Sequence, residues 1–208
     1  MYQRYVKRLL DIILSIILLP FILPIVLICG LFIFLEDRGP IFYCGLRLGK
    51  NKENFKMFKL RTMKVNAPDI RNADGSTFNS STDTRLTKVG RFLRKTSLDE
   101  LPQIFNVLIG NMSFIGPRPD LPEHINYYEQ DETRKLDVLP GITGYNQAYF
   151  RNSLEWKQRL KNDVYYVDNI SFSLDVKILF ATISGVIKRR GIYSSEEKIK
   201  KTGRNFEG

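Results

Sequence analysis

The chain has 208 residues, 43% of them hydrophobic, and its 32 Lys and Arg outnumber 22 Asp and Glu to leave a net charge of +10. That size suits one compact domain plus an appendage, and that charge points to anionic partners: nucleic acid, phosphorylated small molecules or an acidic membrane surface. A single histidine, His124, excludes a histidine-pair mechanism or a multi-histidine metal site, and two cysteines, Cys29 and Cys44, form no disulfide framework and fit a reducing compartment.

Residues 12–35, IILSIILLPFILPIVLICGLFIFL, carry no charge. As a helix they reach roughly 36 Å, enough to cross a bilayer core. The run is too long for a signal-peptide core, and no small-residue cleavage site follows. Pro20 and Pro24 lie near its middle and predict a kink. Both flanks are basic, with Arg4, Lys7 and Arg8 before it and Arg38, Arg47, Lys50 and Lys52 after it. If both flanks seek the cytoplasmic side, the segment enters the membrane, bends at the prolines and returns. The alternative is an ordinary span with a proline kink. Asp11 falls at the edge of the run, within reach of headgroups or Arg8.

Residues 36–66 predict a hairpin: PIFYCGLRLG and NFKMFKLRTM are apolar and aromatic with interleaved bases, bounded by Gly39, Pro40, Gly49 and Asn51. Residues 66–83 are polar and turn-rich and predict a surface loop. Residues 84–95 predict a helix with Leu86, Val89, Phe92 and Leu93 on one face and Lys88, Arg91, Arg94 and Lys95 on the others. Residues 100–109 predict a second, with Leu101, Ile104, Phe105 and Leu108 at i, i+3, i+4, i+7 spacing and Gly110 ending it. GPRPD (116–120) reads as a rigid turn leading into a helix through 134, and LPGITGYNQ (139–147) as a loop. Residues 153–167 predict a helix with Trp156, Leu160, Val164 and Tyr165 on one side. Residues 174–188 predict an amphipathic helix ending in Lys188, Arg189 and Arg190, able to lie on a membrane or on the core. The polar tail after Tyr193 predicts disorder.

Between the two central helices stands SLDELPQ (97–103), which sets Asp99 and Glu100 beside Arg91, Arg94 and Lys95. Two readings compete. Ser97 with Glu100 three residues on is a capping box, and Asp99 would complement the helix dipole. With Asp99 as the cap, Pro102 falls harmlessly in the first turn, and Asp99 stands where phosphates also bind. In the second reading Asp99 is a nucleophile towards phosphorus. Attack on an anionic diphosphate then needs a divalent cation and arginines to screen the charge. Candidates are Arg94, Arg118 between Pro117 and Pro119, and Lys59 and Arg61 in KLRT. Gln103 is a further candidate, and Asp163 and Asp175 suit helix starts.

Taken together, FKLRTM, TKVGRFLRKTSLDELPQIFNVLIGNMSFIGPRP, PGITGYNQ and DVYYVDNISFSLDVKIL resemble the bacterial sugar transferases, the monotopic polyprenyl-phosphate phosphoglycosyl transferases, over about residues 2 to 192. The chain begins at the core unit and so resembles the small class. The resemblance implies a mainly helical α+β fold with three parts. These are a re-entrant membrane helix (1–36) broken at Pro24, with Pro20 a second break; a catalytic domain (37–192) with a small hairpin and interfacial amphipathic helices; and a flexible tail (193–208). It implies that Asp99 attacks the sugar-proximal phosphate of a UDP-sugar, expels UMP and passes the phosphosugar to undecaprenyl phosphate. Glu100 matches the second member of the dyad, Arg118 the phosphate-binding Pro-Arg-Pro arginine, and Arg94 a basic residue before the dyad; Lys59 and Asp175 also match family positions. Mg²⁺ is expected beside Asp99. The expected location is the bacterial inner membrane with the catalytic domain on the cytoplasmic face, against inner-leaflet phospholipids. Interfacial helices leave room for a homodimer. Lys and Arg are spread through the chain without a nucleic-acid module, so no nucleic-acid partner is expected. Leu23 stands where the family often has Ser before the breaking proline, Leu139 where a base is frequent, Tyr145 where Trp is frequent, and AYFRN (148–152) departs from the usual pattern, so the sugar does not transfer from relatives. The competing classes are a membrane-tethered basic binder without catalysis and a metal-dependent phosphohydrolase.

Overall fold

A computed structural model describes residues 2–70, 78, 80, 82–150 and 154–187 of the chain. The fold is mainly helical with two small sheets. After an opening π-turn, helix α1 runs from Lys7 to Asp37. The helix continues through Pro20 and Pro24 and ends at Arg38, whose left-handed backbone returns its N–H to the Phe34 carbonyl. It is long and apolar enough to cross a membrane, with a mean hydropathy of 3.1 over its most apolar window. Its buried residues, Asp11, Ser15, Val26, Cys29, Gly30 and Ile33, recur along one face, while Phe21, Leu27, Ile28 and Leu31 stand exposed.

Both ends of α1 are fastened to the same body. At the start, Arg8 donates to the carbonyls of Val107 and Leu108, Asp11 accepts from the Ser113 hydroxyl and the Phe114 amide, and Lys7 pairs with Asp175. At the end, Val26, Cys29 and Ile33 share a core with Leu60 and Leu93. Each fully buried aliphatic side chain there contributes about 1.5–3 kcal/mol.

The predicted hairpin forms: β1 (Phe42–Leu48) pairs antiparallel with β2 (Asn54–Leu60), Phe42 facing Leu60 and Leu48 facing Asn54. Helix α2 (Lys88–Thr96) begins later than its pattern predicts, because Leu86 bridges Met63 and the Thr87 amide bonds the Thr62 carbonyl. Thr87 caps it by accepting from the Gly90 amide, and Glu36 at the end of α1 accepts from the Lys88 and Val89 amides. Phe92, expected inside, is exposed; Gly90 takes the inward position. Helix α3 (Gln103–Ile109) follows a 3-10 turn, Leu98–Glu100, and ends at Gly110 with φ of 102°.

Three further expectations are corrected. The helix through 134 is two 3-10 segments, Pro122–Tyr127 and Asp131–Asp137, separated by extended backbone at Tyr128. Extended backbone at Leu121 and Tyr128 bounds the first segment, and the Tyr128 hydroxyl is drawn to Asp120. The loop at 139–147 holds β4 (Gly141–Thr143), parallel to β3 (Ser113–Ile115), and the start of α4 (Tyr145–Tyr149). Three-residue strands carry too little pattern to announce themselves; close approach makes them. A Cβ on Gly141 would stand 2.1 Å from the Gly116 nitrogen. Helix α5 (Trp156–Asp168) buries Trp156, Leu160, Asp163 and Tyr166 in place of Val164 and Tyr165. Helix α6 spans Phe172–Ile187. Lys188, Arg189, Arg190, the tail 193–208, most of the 71–81 loop, and Arg151 and Asn152 lie outside the described residues.

Candidate active site

The acidic pair caps nothing. Ser97 is the left-handed residue that closes α2, with φ of 59°, and its side chain makes no capping hydrogen bond. Pro102, not Asp99, occupies the cap position of α3. The capping-box reading fails because the Glu100 carboxylate turns elsewhere: its Oε1 accepts from Lys59 Nζ at 2.7 Å and from Arg118 Nη2 at 2.9 Å.

Three elements bring these groups together, through residues that hydrophobic patterns do not reveal. Asn106 in α3 fastens the free edge of β2: its Oδ1 accepts from the Phe58 amide at 2.9 Å and its Nδ2 donates to the Lys56 carbonyl at 2.8 Å. That clamp sets Lys59, the next residue, against Glu100. Gly90 lets α2 lie on the segment after β2, since a Cβ there would stand 1.9 Å from the Thr62 carbonyl oxygen. One turn on, Arg94 Nε donates to Thr62 Oγ1 at 3.1 Å. Arg118 leaves the Pro-Arg-Pro turn after β3, 48% exposed, with its guanidinium on Glu100.

Asp99 differs from Glu100. It is 7% exposed and, among the described residues, makes no hydrogen bond or ion pair. Burial pushes its carboxyl above the ordinary range; Lys59 pulls it back, Glu100 adds to the rise, and Arg94 and Arg118 oppose it. For Glu100, burial acts upward too, but Arg118 and then Lys59 hold it well below the usual glutamate range. The site thus holds one carboxylate spent on fixing two cations and one left uncommitted beside them. An uncommitted, desolvated carboxylate among cations is equipped to attack an anionic electrophile whose charge those cations screen.

Among the described residues no group of three acids, histidines or cysteines could cage a metal. Asp99 offers one carboxylate, and Mg²⁺ commonly takes one or two carboxylates with substrate phosphate oxygens and waters. The donor set fits an ion that arrives with a diphosphate.

Among the described residues, none of the remaining candidates forms a hydrogen bond or ion pair with the dyad. Arg61 is buried and committed to Asp37, with further bonds to the Pro40 and Met63 carbonyls, so it ties the end of α1 to the hairpin. Asp175 receives Tyr2, Lys7 and Tyr166 and ties the start of α1 to α6. Gln103 is buried one turn beyond Asp99, its Nε2 without a partner among the described residues. Asp163, a suggested cap, instead pairs with buried Lys135 at 2.9 Å.

The family profile described as bacterial sugar transferase matches residues 2–189. EpsL, an uncharacterized sugar transferase of Bacillus subtilis (strain 168), is 40% identical over 186 residues, covering 89% of both chains. The undecaprenyl-phosphate galactose phosphotransferase of Salmonella typhimurium is 37% identical, covering 91% of this chain and 42% of that protein. The UDP-N-acetylgalactosamine-undecaprenyl-phosphate N-acetylgalactosaminephosphotransferase of Aeromonas hydrophila is 35% identical, covering 88% of this chain and 44% of its own. The chain therefore spans less than half the length of several relatives it matches.

Proposed function

The chain belongs to the bacterial sugar transferases, and we propose that it moves a sugar 1-phosphate from a UDP-sugar to undecaprenyl phosphate through a covalent intermediate on Asp99. The observation that carries the reading is the contrast within the dyad: Glu100 is bound by Lys59 and Arg118, whereas Asp99 is buried and uncommitted beside them. An Asp99 oxygen attacks the sugar-proximal phosphorus, the bond to the bridging oxygen breaks, and UMP leaves with the electron pair. An oxygen of undecaprenyl phosphate then attacks the same phosphorus and returns Asp99 as a carboxylate. Arg118 and Lys59, oriented by Glu100, bind the phosphoryl oxygens, and Arg94, held by Thr62, faces the same charge. Mg²⁺ held by Asp99 and the diphosphate would supply further charge neutralisation.

The lipid acceptor requires a site at the membrane face. Arg8 and Asp11 fasten the start of α1 to the domain, and Ile33 and Asp37 fasten its end. Those attachments support a re-entrant helix whose flanks both lie on the cytoplasmic side of the inner membrane, with the bend at Pro20 and Pro24. Exposed Ile109 and Phe172 stand beside the start of α1, next to Arg8 and Tyr2, and suit the inner leaflet.

The test incubates the purified protein in detergent with undecaprenyl phosphate, Mg²⁺ and a panel of UDP-sugars, and measures UMP. Lipid-dependent turnover of one donor, lost in Asp99→Asn, is expected. Release of free sugar phosphate without lipid would make the protein a hydrolase. For topology, Cys29 and Cys44 are replaced by Ser, and single cysteines at Gln3 and Lys50 are labelled in spheroplasts and inverted vesicles. Labelling of the two from opposite sides would refute the re-entrant arrangement.

A further inference from the structure

The turn that carries Arg118 is gripped by a buried lysine. Lys135, in the second 3-10 segment, has a side chain 3% exposed. Its ammonium has three protons and meets three acceptors: Asp120 Oδ2 at 2.7 Å, Asp163 Oδ2 at 2.9 Å and the Arg118 carbonyl at 3.2 Å. Each acceptor is fixed in turn. Asp120 also receives the Tyr128 hydroxyl at 2.7 Å, and its carbonyl accepts the Leu48 amide at 2.9 Å. Asp163 Oδ1 accepts from Asn146 Nδ2 at 2.7 Å, and Asn146 also donates to the Arg159 carbonyl. On its other side, the Pro117 carbonyl accepts the Gly141 amide at 2.9 Å.

The backbone on both sides of Arg118 is therefore bound to β1, β4 and the 3-10 segment, with α5 holding Lys135 through Asp163, while the Arg118 side chain is half exposed and bonds Glu100. A buried ion cluster is weak evidence of stabilisation, since apolar side chains fill such space as well. What this cluster does that apolar filling does not is hold the Arg118 carbonyl and the following Asp120 from one point.

We propose that Lys135 is a positioning residue, fixing the Pro-Arg-Pro backbone from which the Arg118 guanidinium reaches the phosphoryl group. It acts through Arg118 and touches no substrate. The proposal rests on the reading of Arg118 as a phosphate-binding group.

The test is a double-mutant cycle. Lys135→Met is combined with Asp120→Asn and Asp163→Asn, which empties the cluster of charge and leaves no unpaired ion behind. Thermal unfolding in detergent establishes that the variant folds; should it not, Asp120→Asn alone, which leaves Lys135 paired with Asp163, takes its place. The cycle is read in the Kd of inorganic diphosphate, which needs no turnover, and in kcat/KM for the UDP-sugar. In the wild-type background the change is expected to weaken both by tenfold to a hundredfold, the scale of a misplaced group. In an Arg118→Ala background it should have no further effect. An equal loss in both backgrounds, no loss in either, or diphosphate binding indifferent to Arg118→Ala would overturn the proposal. Coupling in the diphosphate cycle without any UMP release would keep the positioning role and sink the reaction. UMP release without coupling would do the reverse.

Discussion

Asp99→Asn separates a reacting carboxylate from a structural one. The amide matches the carboxylate in volume, and Asp99 makes no hydrogen bond or ion pair among the described residues, so the change breaks no contact. Burial holds the Asp99 carboxyl above its ordinary range, helped by Glu100 and opposed by Lys59. The sign follows from linkage. An acid whose folded pKa lies above its unfolded value of about 3.9 costs nothing below that value and the full amount above the folded one. In metal-free buffer without nucleotide at neutral pH, Asp99→Asn should therefore be the more stable protein, by about 1 kcal/mol. That corresponds to a rise in Tm of roughly 2–4 °C for a chain of this size. The gap should close in acid. Activity should fall by at least about 10⁴-fold, as when a nucleophile is removed. UMP release measures turnover, and the mass of the intact protein incubated with donor alone measures the adduct. An adduct on Asp99→Asn, or more than about a hundredth of wild-type turnover, would refute the assignment. Lost activity together with a lowered Tm would show that Asp99 was structural after all.

Arg118→Ala should lower kcat/KM for the UDP-sugar by about 10²–10³-fold, the effect of removing one preorganised donor, with Tm near wild type because the side chain is half exposed; full turnover would exclude it from phosphate binding. Gly90→Ala should cost about 1–3 kcal/mol, since its Cβ meets the Thr62 carbonyl oxygen at 1.9 Å. Because Thr62 also orients Arg94, turnover should fall with Tm; a variant as stable as wild type would show that α2 has room to move. Asp83 is buried against Arg85, whose hydrogen bonds hold its carboxyl below the usual range. A lowered folded pKa gives stability above the unfolded value that is lost as pH falls through the folded one. Asp83→Asn should thus lose about 1–3 kcal/mol at pH 7, with the gap to wild type narrowing below about pH 4. A gap independent of pH would refute that origin.

The long elements were readable because their patterns are long. An apolar run without a charge, a hairpin with bounding glycines and helices with a repeating face each carry many residues of signal. The dyad was readable as a choice, and geometry decided it: nothing in SLDELPQ tells whether Glu100 turns back to Ser97 or outward to Lys59. What could not be read was contact between distant residues. Asn106 looks like an ordinary polar position in α3, yet it holds β2 and so places Lys59. Lys135 lies in a charged stretch indistinguishable from a solvated one, and its burial depends on Asp163 arriving from another helix. Arg61 sits two residues from Lys59, a spacing that would put both on one face of a continued strand, but β2 ends at Leu60 and Arg61 is committed to Asp37 instead. The strands β3 and β4 are three residues each and exist because glycines let two backbones approach.

The shared core of α1 with Leu60 and Leu93 makes the anchor inseparable from the catalyst. Glu36 caps the helix that carries Arg94, and Asp37 binds the arginine that closes the hairpin. Cutting the chain after residue 36 would therefore not liberate a soluble transferase. It would strip one wall from a hydrophobic interior, remove the carboxylate that starts α2, and leave apolar side chains such as Leu60 and Leu93 facing water. Foreign anchors grafted at that junction would inherit the same defect unless they reproduced Val26, Cys29, Ile33 and Glu36 in register. The interior that α1 completes is the one on which α2 and its Arg94 rest.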